Sequence, residues 1–132
     1  MSFLNLKTQA HQRLLGAWAD RTPLSLDNAP FDRPLDSAWV RFTIIGGTED
    51  PTELGREAYE MQGLFEFQIF TPPGSGSGEA EDLADQAAAV FRGADFGGIY
   101  CAGAIRSRVG TDAESGMHQL NVSIPFSYDV NY

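Results

Sequence analysis

The chain has 132 residues, 42% of them hydrophobic, a size and composition that suit one domain with its own core. Eighteen acidic residues against nine basic ones give a formal charge of −9, which disfavours binding to a nucleic-acid backbone. No apolar run reaches the length of a membrane span, the opening MSFLNLKTQAHQRLL lacks the pattern of a secretory signal, and the single Cys101 cannot form an internal disulfide, so a protein made and kept in the cytoplasm is expected.

From Phe3 to about Asp20, apolar side chains at Phe3, Leu6, Ala10, Leu14, Ala17 and Trp18 recur in three- and four-residue steps, which predicts an amphipathic helix ended by Arg21-Thr22-Pro23. Leu24 to Leu26 can form a short strand, and the Pro- and Asp-rich stretch Asp27 to Asp36 reads as an ordered surface loop anchored by Phe31 and Leu35. Next, Ala38, Val40, Phe42 and Ile44 alternate with Trp39, Arg41, Thr43 and Ile45. That is a strand with one apolar face and one mixed face, and Trp39 and Ile45 on the mixed face call for a cover. Gly46 to Gly55 reads as a long polar hairpin loop, and the return strand carries Phe65, Phe67 and Ile69, beginning near Glu57 with a bulge at Gly63.

A second amphipathic helix follows, with Ala80, Leu83, Ala84, Ala87, Val90 and Phe91 on one face and Gly93 as its stop. The last third reads as a hairpin: an alternating run from Ile99 to Val109, a turn near Gly110 to Gly116, and a half-buried strand marked by Leu120, Val122, Ile124, Phe126 and Tyr128. The expected fold is α+β, a single domain over 1–132 with a largely antiparallel sheet of four to five strands and two helices packed on one face.

Chemistry is sparse. The FEFQIFTPPGSGSGEAEDLADQ stretch has the strand–turn–helix layout of a phosphate cradle, but Glu79, Glu81, Asp82 and Asp85 occupy the start of the helix where an anion would sit. Gly74, Gly76 and Gly78 give neither a Walker ending nor a dinucleotide fingerprint, so this is read as a structural joint. His11 and His118 have no metal-ligand spacing, a Cys101–His118 pair would need two strands to meet by coincidence, and no nucleophile elbow is present. Neither catalytic residues, nor a metal, nor a cofactor is expected. Glu49, Asp50 and Glu53 form an acidic cluster in a loop. It can be read as a solvated loop, a cation or acid–base group, or a protein contact; the length of the loop favours contact with a partner.

The helix-to-TPLSLDNAPFDRP passage, the strand SAWVRFTIIGG, the FEFQIFTPPGSGSG joint and the closing VSIPFSYD hairpin, in that order and over nearly the whole chain, resemble the tail terminator proteins of long-tailed bacteriophages and related gene-transfer particles. The resemblance implies a structural protein rather than an enzyme: a subunit of a homohexameric ring that caps the tail tube, ends its polymerisation and joins tail to head. It implies tail tube protein and a head-completion or connector protein as partners, residence in the virion tail after assembly in the host cytoplasm, and no membrane. DNA would pass the bore without specific binding, since six copies would carry about −54 formal charges. Trp39, Ile45, Glu49, Asp50 and Glu53 are the expected partner-interface residues. Another tail or head-completion subunit, or a small nucleotide-binding enzyme, is the alternative.

Overall fold

The computed structural model describes residues 3–18, 21–26, 37–51, 58–72, 77–111 and 117–131. In chain order these form α1 (Phe3–Trp18), β1 (Leu24–Ser25), β2 (Trp39–Pro51), β3 (Ala58–Thr71), α2 (Ser77–Phe91), β4 (Asp95–Phe96), β5 (Ile99–Cys101), β6 (Ile105–Thr111) and β7 (His118–Asn131). The strands make one seven-stranded sheet in the order β1-β2-β3-β7-β5-β4, with β6 also paired to β7. Every described pairing is antiparallel except β1 with β2. The α+β expectation holds, with more strands than the expected four to five.

Helix periodicity places the core. Leu6, Ala10, Leu14 and Trp18 of α1 are all buried, as are Ala80, Leu83, Ala84, Ala87, Val90 and Phe91 of α2. Both helices rest on the sheet face formed by Val40, Phe42 and Ile44 of β2, Phe65, Phe67 and Ile69 of β3, and Leu120, Val122 and Ile124 of β7, which belong to the same buried cluster. Phe91 is its hub, with ring centroids 4.6 Å from Phe65 and 5.7 Å from Phe42. Each such side chain contributes about 1.5–3 kcal/mol by leaving water. The alanines of α2 let the helix sit close to the strands.

Polar side chains fix how the layers meet. Arg13 Nε donates to the Val90 carbonyl at 2.7 Å, satisfying an acceptor in the last turn of α2 and tying the two helices together. Asn5 Nδ2 donates to the Tyr128 hydroxyl at 2.7 Å and fixes the start of α1 over β7. Gly93, at φ 63°, stops α2 in the left-handed geometry that glycine adopts without strain.

Two expected segments differ. Gly46 to Gly55 was expected to be a loop, but β2 continues to Pro51 and β3 begins at Ala58, so Glu49 and Asp50 lie in a strand opposite Met61 and Glu60. The bulge falls on β2 between Gly46 and Glu49, opposite Gln62, rather than at Gly63. The run from Ile99 to Val109 is not one strand but β5 and β6, separated by Ala102 to Ala104. Pro125 causes the break. It has no N–H to donate, and the two flanking ladders, Cys101 with Phe126 and Ile105 with Ser123, leave one residue more on the β5–β6 side than on β7.

Candidate assembly surfaces

The helices cover one face of the sheet; the opposite face carries the side chains that alternate with the core. Trp39 starts this face, but its own chain covers it. Its indole stacks on Phe70 with centroids 4.3 Å apart and 10° between planes, Met117 completes a small separate cluster, and Trp39 is 1% exposed. The Arg41 guanidinium lies over both rings, 5.3 Å from the Trp39 centroid and 5.7 Å from that of Phe70, and donates to Gln68 Oε1 at 3.3 Å. The cover that the sequence called for over Trp39 is therefore intramolecular.

Ile45 is different. It remains 40% exposed and heads a row that the register carries through Leu64 to Pro125. Beside that row is a shallow hollow of about 260 Å³ lined by Gln62, Gly63, Tyr100, Ala102, Pro125, Phe126 and Ser127. Tyr100 is exposed, as is Ile105, which pairs with Ser123 on the same face. Acidic residues flank the apolar row: Glu66 pairs with Ser123, and Glu60 stands opposite Asp129. An exposed face that mixes apolar rows with carboxylates suits contact with other protein better than it suits a small ligand.

Beyond Ile45, β2 and β3 run on as an arm, with β7 still paired to β3 as far as Asn131. Its tip residues Glu49 and Asp50 are placed by their backbone pairing, whereas Glu53 lies outside the described residues.

The sites considered for chemistry do not come together. Cys101 pairs with Phe126 and His118 with Thr71, eight residues along β7, which separates them by about 26 Å at ~3.3 Å per residue. Burial pushes the Cys101 thiol up from its ordinary 9.0 to about 11, only partly countered by the Arg13 charge, the reverse of what a nucleophile needs. His11 packs edge-on against Phe42, centroids 5.8 Å apart. Among the described residues no group of three or more His, Cys, Asp or Glu side chains is placed to hold a metal ion. Gly74 and Gly76 lie outside the described residues, but α2 opens with Glu79 in its first turn, and the hollow of about 430 Å³ beside it is lined by Glu79 and Asp82 as well as Arg21. A phosphate would meet those carboxylates at the helix end that otherwise attracts it.

Two features escaped the sequence reading. Arg106 of β6 reaches across to α2 and pairs with both Glu81 and Asp85, the latter at 2.6 Å. The Gly97-Gly98 pair, at φ 55° and 83°, makes the tight two-residue turn between β4 and β5, a signal visible in the sequence as glycines between Phe96 and Ile99.

The sequence model of a family described as phage tail terminator protein matches residues 6–126. A solved structure 23% identical in sequence superimposes with a TM-score of 0.63, covering 100% of this chain and 97% of its own, and so shares the fold. Comparison with curated proteins finds no match.

Proposed function

Because the chain belongs to the phage tail terminator protein family, a family of structural tail components, we propose that six copies close into a ring that caps the tail tube, ends its growth and joins the tail to the head. The family match over residues 6–126 is the observation that carries this reading. The one-sided fold supports it: helices seal one face of the sheet, and the other keeps Ile45, Tyr100 and Ile105 exposed. Partners in this reading are further copies of the chain, the tail tube protein and a head-completion or connector protein. At −9 per copy, any part of that negative charge that lines a bore repels DNA and lets it slide.

A ring needs two different, complementary surfaces on each copy, because a cyclic contact is head to tail. The arm carrying Glu49 and Asp50, with Glu53 beyond it in sequence, is proposed as one contact surface and Ile45 as its apolar neighbour. Trp39 supports this region from within rather than touching a partner.

The test is negative-stain imaging and native mass spectrometry of the purified chain, alone and with tail tube protein. Discrete six-membered rings are expected at least when tube is present. Another ring number, or monomers only in assembled particles, would refute the proposal, and long tubes of this chain alone would mark it as a tube subunit instead.

A further inference from the structure

Among the described residues β6 ends the sheet on one side, and its single ladder is with β7. The Ala102 amide donates to the Pro125 carbonyl at 2.8 Å, so odd-numbered residues of β7 direct their backbone groups toward the β5–β6 side. Ile105 with Ser123 and Ser107 with Asn121 are then the hydrogen-bonded pairs, and the N–H and C=O groups of Arg106 and Arg108 point away from β7, out of the sheet. An unpaired strand edge is a template for a strand from another chain.

Resting on the ring reading above, we propose that the β6 edge is paired by the Gly46–Pro51 arm of β2 from a neighbouring copy. Polarity supports this occupant. β6 is antiparallel to β7 and therefore to β2, and copies around a ring keep the same sense along its axis, so strands that run along the axis bring β6 to the neighbour's β2 antiparallel and continue the alternation of the sheet. Among the described residues β1 covers β2 only at Val40 and Arg41, well short of the arm. Charge is complementary: β6 reads IRSRVGT, with no acid and two arginines, of which Arg106 is already paired to Glu81 and Asp85, and the arm reads GGTEDP, with two acids and no base. Pairing β6 with a second β6 would close a dimer rather than a ring.

Two variants at one position separate backbone from side chain. Arg108→Ala keeps the outward N–H, whereas Arg108→Pro removes it without touching the ladder to β7, since proline is tolerated where a strand edge faces outward. With tail tube protein present, Arg108→Ala is expected to form rings to within a few-fold of the parent chain, and Arg108→Pro to lose them by roughly tenfold or more. A benzophenone-bearing phenylalanine in place of Ser107 decides the case even if the proline variant is unstable. It is expected to cross-link to peptides from residues 45–51 of another copy. Cross-links to another copy's β6, or to any other segment, overturn this pairing while leaving the ring intact. Equal ring formation by the two Arg108 variants does the same. A parent chain that forms no rings defeats the ring reading and this inference together.

Discussion

Trp39 lies flat on Phe70, centroids 4.3 Å apart, on the sheet face opposite the helices. The two residues are directly paired across the β2–β3 ladder, so their stacking adds packing to a hydrogen-bonded register. Trp39→Ala is therefore expected to lower unfolding stability by about 3–5 kcal/mol, the usual cost of truncating a buried aromatic. Urea denaturation followed by circular dichroism measures this. Ile45→Asp on the same face, at a position 40% exposed, is expected to change stability by no more than about 0.5 kcal/mol while impairing ring formation. A stable Trp39→Ala protein that fails to assemble would reverse the roles assigned to these two residues.

Arg106 joins β6 to α2 through two carboxylates, Glu81 and Asp85, and its side chain is 43% exposed. Water and salt screen such pairs, so Arg106→Ala should cost less than about 1 kcal/mol globally. The local effect is expected to be larger. β6 has described strand pairing on one side only, and the ion pairs are its link to the helix layer. Hydrogen exchange at the Ile105 and Ser107 amides should speed up in the variant, and in the parent as salt is raised, while exchange in β3 stays unchanged. No change at these amides would show that β7 alone holds the strand.

Periodicity made much of this fold readable. The α1 stripe from Leu6 to Trp18 and the α2 stripe from Ala80 to Phe91 are buried as their spacing requires, and Val40, Phe42 and Ile44 mark the core face of β2 without ambiguity. What periodicity could not reveal was partnership. Trp39 and Ile45 share a face and looked alike in sequence, but one has Phe70 and Met117 beside it and the other does not, a difference set by residues distant in the chain. The alternation from Ile99 to Val109 concealed the break between β5 and β6 because its cause, Pro125, lies on the partner strand. Glycines and charge made GGTEDP look like a loop, although a bulge lets the strand continue through it. The carboxylates at the start of α2, in contrast, were legible as evidence against a phosphate site from composition alone.

Cys101 should respond to pH as a half-buried thiol rather than as a nucleophile. Its folded value of about 11 lies above its ordinary 9.0, chiefly through burial. Between these values the unfolded chain releases the proton and the folded chain retains it, so the unfolded state binds fewer protons and stability falls as pH rises. Below pH 9 the contribution is fully present. Native protein at pH 8 is expected to react with an aromatic disulfide reagent much more slowly than the urea-unfolded chain, and Cys101→Ala should flatten part of the stability loss between pH 9 and 11. Fast labelling of the folded protein at pH 8 would contradict the burial argument.

Gly63 sits where β3 passes between the root of the arm and β7, opposite Gly46 on one side and Phe126 on the other. A Cβ placed there would come within 2.8 Å of Phe126 Cζ and would also press on the Ile45 carbonyl, closer than real Cβ atoms approach their neighbours. The Phe126 ring has little room to retreat, because it stacks on Phe65 with centroids 4.4 Å apart and Phe65 is fully buried. The Ile45 carbonyl belongs to the β2 backbone, so relief on that side would spread the two strands just before the bulge. Gly63→Ala is therefore expected to destabilise the protein by about 1–3 kcal/mol through overpacking. Gly103→Ala, where an added Cβ meets nothing within 4 Å, is the control and should stay within about 0.5 kcal/mol of the parent. Chemical denaturation of both variants gives the comparison. If Gly63→Ala is as stable as the control, the strands at the root of the arm can move apart freely, and the position of Glu49 and Asp50 is not held by this contact.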